Sequence, residues 1–283
     1  MDSLRLLDLH FGDAAGGIGV YLFDTTDGPA LFDCGPTSTL PNLEAGLSEH
    51  GLALTDLRHL LLSHIHLDHA GAAGPIVRRH PGLTVWVSPV GAPHLIDPSK
   101  LERSARRLYG EMFDPLWGEL APVPEGNVRL AEGDVLGWEA FPTPGHASHH
   151  VSYHRDGTIL AGDAAGVRLP PSDYVLPVSP PPDIDIELWH ATARELARRD
   201  PERLALIHFG IHTDCATHLE RLHAELDRWK ERVGSGMDAD EFVERARADA
   251  GDDADEYDRV APFWQSWQGL RRYWDKRAEA DAS

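Results

Sequence analysis

The chain has 283 residues, with 46 acidic and 26 basic side chains, so its formal net charge is −20 at pH 7. A field of this sign repels polyanions at low salt and argues against nucleic acid as a partner. Lysine occurs only at positions 100, 230 and 276, and excess acid with little lysine is typical of a halophilic-type surface. A GC-rich genome, which favours arginine codons, is the alternative explanation.

The sequence carries no targeting or membrane signal that we can identify. Residues 1–5 lack a basic segment leading into a long apolar one, so no signal peptide is expected. No apolar run approaches the roughly 20 residues of a membrane span. The two cysteines, Cys34 and Cys215, fit a reducing compartment better than a disulfide framework. We therefore expect a cytoplasmic protein that does not contact a membrane.

The first part of the chain is predicted to open with a β-meander and to continue as alternating β and α units. Turn residues at 26–29 separate two of the strands. The predicted strands cover 4–11, 19–24, 30–33, 57–62 and 83–87, with helices over 39–50 and from 70 to 79. Such alternation is typical of layered α/β proteins.

Residues 94–124 interrupt this alternation and are predicted to be a helical insertion. A helix is expected over 98–109, and the segment after it contains Phe113 and Trp117. This insertion could form a lid or pocket wall, because loops on a rigid scaffold often carry specificity. Alternatively, the two aromatic side chains only pack the insertion against the domain.

The second part returns to strands and ends in helices. Strands are predicted over 128–138 and 139–141 around a turn at 132–134, then over 149–153, from 158 to Asp163, and over 203–207, with a helix over 188–199. The tail is predicted to be helical over 215–233, 238–250 and 256–280. Trp264, Trp267 and Leu270 form an apolar face that would dock on the same chain, or on another subunit of a homodimer.

The segment from Ser63 to His69 has the pattern of a metal-binding turn between a strand and a helix. In an extended segment alternate side chains share one side, so His64 and His66 project together, and the turn aims Asp68 and His69 at a neighbouring point. Imidazole and carboxylate suit Zn²⁺, with Fe or Mn as alternatives. These residues alone would leave two ions under-coordinated, so further ligands are expected downstream.

Three later residues meet this expectation. His146 follows a tight Thr-Pro-Gly loop, Asp163 is flanked by residues small enough to allow close approach of an ion, and His208 ends a buried strand. Each lies just past a predicted strand, which is where sites form in α/β folds. Asp33, at the end of the third strand, is either a turn residue or a carboxylate that holds a metal-ligating histidine. His149, His150 and His154 are interpreted as ordinary strand residues.

The order H-x-H-x-D-H, T-P-G-H, G-D and H-F-G resembles the metallo-β-lactamase superfamily, in its glyoxalase II-like hydrolase branch. Within the branch the chain is most similar to stand-alone archaeal and bacterial hydrolases of unassigned substrate. The resemblance runs from about residue 4 to 210. It implies an α/β fold, a four-layer αββα sandwich with extra C-terminal helices. The domain would cover 1–214, including the insertion, and a helical extension over 215–283 would pack on it.

The resemblance also implies a ligand set and an activity. One metal ion would be held by His64, His66 and His146, the other by Asp68, His69 and His208, and Asp163 would bridge them. A hydroxide shared by the two ions would cleave a thioester, ester or lactone in a small molecule. Asp68 would orient this hydroxide, and it is the only residue given a catalytic role beyond metal binding. Asp33 is a candidate partner of a histidine ligand, and His212 is a candidate pocket residue.

Two other functions remain open. The first is a phosphodiesterase or RNase resembling tRNA 3′-processing nucleases. The net charge of −20 and the lack of a long basic arm argue against this function. The second is a metal-binding protein without catalysis, whose pocket is closed by the insertion or by the C-terminal helices.

Overall fold

The structure is a computed structural model that describes residues 4–281. Residues 1–3, which contribute to the expectation that there is no signal peptide, lie outside the described part. The chain forms two compact units, the first from Met1–Pro142 and His149–Arg155 and the second from Thr143–Ser148 and Asp156–Ser283. Neither unit ends at residue 214, and the domain boundary expected there remains a prediction.

The first unit is built on a six-stranded sheet in chain order. Its strands are β1 (Arg5–Asp8), β2 (Gly19–Thr25), β3 (Gly28–Phe32), β4 (His59–Leu61), β5 (Thr84–Val87) and β6 (Val128–Leu130). The first three are antiparallel, as expected for a meander, and β3 to β6 are parallel. Parallel neighbours require crossover connections, and the helices between these strands provide them. The carboxyl ends of β3 and β4 therefore lie side by side at one edge.

Helices and a short antiparallel set of strands complete the first unit. The helices are α1 (Leu40–Glu49), α2 (Leu67–Ala70), α3 (Ala73–Arg79), α4 (Ala92–Ile96), α5 (Ser99–Tyr109) and α6 (Phe113–Trp117). The strands are β7 (Gly133–Val135), β8 (Trp138–Pro142) and β9 (Val151–Arg155). In the insertion, Phe113 is fully buried in a cluster with Leu67 and Ala105, so this aromatic side chain packs the insertion down.

The hairpin that precedes His146 turns at a different position from the predicted one. A turn was expected at 132–134, but β7 begins at Gly133 and pairs Val135 with Trp138. The two loop residues are therefore Leu136 and Gly137, which have φ angles of 57° and 81°. A two-residue hairpin of this type needs positive φ at both positions. Leucine rarely adopts this conformation, so the residue types do not reveal the turn.

The described part of the second unit contains three strands and five α-helices. These are β10 (Thr158–Leu160), β11 (Arg203–Leu206), β12 (Gly210–His212), α7 (Ile186–Arg198), α8 (Cys215–Gly234), α9 (Ala239–Ala250), α10 (Ala254–Val260) and α11 (Phe263–Asp281). The strand β12 was not predicted. Because β10 and β11 are parallel, their carboxyl ends also share one edge. Among residues 4–281 no helix is long and apolar enough to cross a membrane.

The continuous helix predicted over 256–280 is interrupted. Its first part ends at Val260 and its second begins at Phe263, with Ala261 outside the helical region at φ −138° and ψ 84°. Pro262 explains the break, because proline lacks an N–H and disfavours the helical conformation in the residue before it.

The C-terminal helices pack within the second unit. Leu270 is fully buried, and the indole N–H groups of Trp267 and Trp274 donate to the carbonyls of Met237 and Lys230 at 3.0 and 3.1 Å. Trp264 remains 38% exposed. These hydrogen bonds join parts of the tail to one another, and both the packing of the tail on the domain of residues 1–214 and a homodimer remain predictions.

Gly269 marks the closest packing of α11, because a Cβ at this position would lie 1.9 Å from the carbonyl oxygen of Ser179. We expect Gly269→Ala to lower the free energy of unfolding by about 1–3 kcal/mol, as overpacking does, in urea titrations. Gly126→Ala is the control, since a Cβ there meets nothing within 4 Å. Equal stability of the two variants would show that α11 does not pack tightly on this segment.

Candidate metal centre

The predicted metal turn of the first unit brings four candidate ligands together just beyond β4. His64 and His69 are fully buried, and the His64 ring lies 4.4 Å from that of His66 and 4.0 Å from that of His69, between centroids. His66 is extended, with φ −62° and ψ 155°, and directly precedes α2. The first turn of this helix carries Asp68, whose Oδ2 lies 3.7 Å from Nε2 of His69.

Asp33 supports two of these histidines. It follows β3, whose carboxyl end lies beside that of β4, and it accepts hydrogen bonds from Nδ1 of His69 at 2.8 Å and from the backbone N–H and hydroxyl of Ser63 at 2.7 Å each. Because the Ser63 hydroxyl donates to Asp33, it accepts from Nδ1 of His64 at 2.9 Å. Burial raises the pKa of the Asp33 carboxyl, and His69 and the Ser63 donors oppose that rise. Both histidines are thereby fixed with Nδ1 protonated.

The second unit brings the other three candidates together. Asp163 lies in a short 3-10 turn after β10, His208 lies just beyond β11, and His146 comes from the loop at 143–148. One carboxylate oxygen of Asp163 is 3.4 Å from Nε2 of His146, and the other is 3.7 Å from Nε2 of His208. All three residues are at most 3% exposed. Each oxygen of the carboxylate thus faces a different imidazole.

These side chains fit metal ions by their donor chemistry. Two ligand atoms bound to one tetrahedral Zn²⁺ at about 2.0–2.2 Å lie about 3.4 Å apart. The two spacings found around Asp163, 3.4 and 3.7 Å, are close to this value. Nδ1 of His146 donates to the Val178 carbonyl at 2.8 Å, as Nδ1 of His69 does to Asp33. An imidazole whose Nδ1 is protonated and engaged in this way presents Nε2 as a ligand, which is the usual arrangement in metal sites.

The candidate pocket residue His212 has other contacts. It is 9% exposed on β12, its Nε2 donates to the Phe209 carbonyl at 3.2 Å, and its ring lies 5.5 Å from that of His218. Burial lowers the pKa of His212, and the positive charge of Arg168 lowers it further. Its role in a pocket remains a prediction.

Sequence reasoning missed several residues that contact the candidate ligands or the backbone next to them. In the first unit, the rings of His149 and His150 lie 5.9 and 4.9 Å from that of His64. The clustering of three histidines in Gly-His-Ala-Ser-His-His was the available signal. In the second unit, Trp189 and His218 donate to the carbonyls of Ala164 and Ala165, which follow Asp163. Nothing in their helical spacing distinguishes these two from other buried helix residues.

Comparison with known proteins identifies the family. The profile of the Metallo-beta-lactamase superfamily matches residues 15–208, more than half of the chain. The chain belongs to this superfamily. Most metallo-beta-lactamase superfamily proteins are metal-dependent hydrolases, which agrees with the His and Asp clusters in both units. The predicted family is therefore confirmed.

Curated relatives share only part of their length with this superfamily member. The Metallo-beta-lactamase fold-containing protein of Sulfurisphaera tokodaii is 27% identical over 191 residues, which cover 63% of this chain and 71% of that protein. The Hydroxyacylglutathione hydrolase of Aeromonas salmonicida is 28% identical over 127 residues, which cover 42% of this chain and 39% of that enzyme.

Solved structures confirm the predicted fold class, the metallo-β-lactamase fold with additional C-terminal helices. A metallo-beta-lactamase family protein from Thermus thermophilus aligns with a TM-score of 0.71 at 21% identity, covering 98% of this chain and 94% of that one. A second solved structure, of a protein in a di-iron-bound form, aligns with a TM-score of 0.54 at 26% identity, covering 72% of this chain and 91% of that one.

Proposed function

We propose that this protein is a binuclear metal-dependent hydrolase that cleaves a thioester, ester or lactone bond in a small molecule. The observation that carries the proposal is Asp163, whose two oxygens face His146 and His208 at 3.4 and 3.7 Å. A carboxylate placed in this way suits a bridge between two ions. The preference for an acyl bond rests on similarity to an enzyme named for hydrolysing hydroxyacylglutathione.

The proposed ligand assignment uses all seven residues. One ion would be held by His64, His66 and His146, the other by Asp68, His69 and His208, with Asp163 shared by both. Zn²⁺ is the ion that we favour for these nitrogen and oxygen donors, and Fe, as in the di-iron-bound relative, or Mn are the alternatives. When bound, two such ions would supply water activated at neutral pH and would polarise the bond under attack.

The remaining chemistry falls to side chains of the protein. The side chain of Asp68 is 24% exposed, whereas that of the neighbouring His69 is fully buried. The Asp68 carboxylate can therefore accept a hydrogen bond from an attacking water and orient that water. Asp33 and Ser63 hold His64 and His69 in one orientation. These fixed hydrogen bonds prevent the two imidazoles from rotating when substrate enters.

The cellular setting is part of the proposal. Cys34 and Cys215 are buried free thiols, which supports a reducing cytoplasm. The composition, with a net charge of −20, supports an acidic, halophilic-type surface and a small-molecule substrate in preference to nucleic acid. The phosphodiesterase or RNase function uses the same ligands and is the second candidate, favoured only if molar salt screens this charge.

Metal analysis combined with a substrate panel tests the proposal. The purified protein is expected to contain two divalent ions per chain and to hydrolyse at least one thioester or lactone of the panel. The panel also contains bis-p-nitrophenyl phosphate and a tRNA precursor, assayed at molar salt. Turnover of the phosphodiesters alone would favour the second candidate, and no turnover with two bound ions would favour a non-catalytic metal-binding protein.

Replacement of Asp33 tests the support of the first unit's ligands. Asp33→Asn keeps the shape but removes the charge that faces His69 and Ser63. We expect metal affinity to fall about 10–100-fold, the usual cost of losing a carboxylate behind a histidine ligand, in competition with a chelator. Asp24→Asn is the control, because Asp24 is an exposed residue paired with Arg5. Unchanged affinity in the Asp33 variant would contradict the role assigned to this carboxylate.

A further inference from the structure

The helix α7 lies against two of the three ligand-bearing segments of the second unit, those of His146 and Asp163, and one residue contacts each of them. Trp189 is fully buried, and its indole N–H donates to the carbonyl oxygen of Ala164 at 2.8 Å. Ala164 directly follows Asp163 within the short 3-10 turn of Gly162–Ala165. This hydrogen bond therefore fixes the orientation of the peptide between Ala164 and Ala165, one residue beyond the proposed bridging carboxylate.

The segment that carries His146 lies against the same tryptophan. The rings of Trp189 and His146 meet edge to face, with centroids 5.5 Å apart and planes at 73°. Gly145 has φ +135°, and a Cβ at that position would lie 2.3 Å from Cα of Trp189. Only glycine allows this approach, so the loop that carries His146 is pressed against the backbone of α7.

We propose that Trp189 is a positioning residue that holds His146 and Asp163 at the separation a metal ion requires. The inference rests on the proposed function and deepens it, because it names what sets the geometry of one half of the centre. An indole has few rotatable bonds and contacts both segments at once. A shift of either segment must therefore displace the tryptophan or break one of its two contacts.

Other contacts of α7 allow the contribution of the indole to be isolated. The hydroxyl of Thr192 donates to the Pro144 carbonyl at 2.6 Å, and the backbone N–H of Asp185 donates to the Gly145 carbonyl at 2.9 Å. These two bonds hold the loop of residues 143–148 on the helix without Trp189. Replacement of the indole should therefore loosen the fine placement of His146 and Asp163 and leave the loop attached.

The test compares two fully buried tryptophans of the second unit. Trp189→Phe removes the N–H and part of the ring. Trp229→Phe does the same at a position on α8 that packs edge-on against Phe242, with centroids 5.1 Å apart.

Affinity for Zn²⁺ is measured by competition with a chelator, and the ligand field by the absorption spectrum of the Co²⁺ form. We expect Trp189→Phe to weaken Zn²⁺ binding about 10–100-fold and to change the spectrum. Trp229→Phe should match the wild type in both.

A second variant covers the case in which Trp189→Phe does not fold. Benzothienylalanine at position 189 keeps the bicyclic shape and replaces the N–H by sulfur, so it removes only the bond to Ala164. It is expected to alter the Co²⁺ spectrum in the same direction. Wild-type affinity and spectrum in both Trp189 variants would overturn the inference, and so would equal losses in the Trp229 control. A wild type that binds no divalent metal would instead overturn the proposed function, and this inference with it.

Discussion

Asp163→Ala is expected to lose metal and hydrolase activity together. The carboxylate of Asp163 faces both candidate histidines of the second unit, at 3.4 Å from His146 and 3.7 Å from His208. Without it, two imidazoles remain with no negative charge between them to offset the repulsion of two cations. We expect metal affinity to fall more than about 100-fold, beyond the usual effect of losing an outer partner. Activity should fall at least about 1,000-fold, because water is no longer activated.

Metal content after gel filtration and the hydrolysis rate of the best substrate in the panel measure this prediction. Asp163→Asn separates charge from shape and should retain one ion at most. Asp227→Ala is the matched control in the same unit, since its side chain is 73% exposed and pairs with His190. The control should keep full metal content and activity. An Asp163→Ala protein that kept both would show that the proposed bridging role is wrong.

The candidate site was predictable largely because its residues follow parallel strands. Asp33 and the His64 turn come after two neighbouring parallel strands, and Asp163 and His208 come after another such pair. Short apolar runs reveal buried strands, and the polar residue after each run is then placed at a shared edge. This reasoning needs no knowledge of how distant parts of the chain pack. This explains why the candidate ligands that lie together within each unit are among those predicted from the sequence.

What the sequence could not show depends on backbone conformation or on tertiary neighbours. Asp33 has a φ of 57°, a left-handed conformation that its position after a strand does not reveal. The Leu136 turn was missed for the same reason. Trp189 has the helical spacing of an ordinary core residue, and its importance arises from which carbonyl and which histidine α7 meets. Helical periodicity identifies the buried face of a helix but not what lies against it.

His218 is expected to make the stability of the protein depend on pH. Its side chain is fully buried on α8, and its Nε2–H donates to the Ala165 carbonyl at 2.7 Å. Burial lowers the pKa of His218 to about 4, and the nearby His212 and Arg168 act in the same direction. In the unfolded chain the pKa of a histidine is about 6.5. The unfolded state therefore takes up a proton at a higher pH than the folded state does.

The sign follows from this difference. The contribution of His218 to the free energy of unfolding is complete above about pH 6.5 and is lost as the pH falls from there towards 4. The free energy of unfolding falls by about 2 kcal/mol by pH 5 and by about 3 kcal/mol once the folded state is also protonated.

Urea titrations of the metal-free protein at pH 7.5 and 5.0 measure the loss. His218→Gln keeps an N–H donor but does not titrate, so it should lose about 2 kcal/mol less than the wild type between the two pH values. His50→Gln, at an exposed position, should behave like the wild type. If the wild type and His218→Gln lost stability in parallel, the buried imidazole would have to be protonated as readily in the folded chain as in the unfolded one.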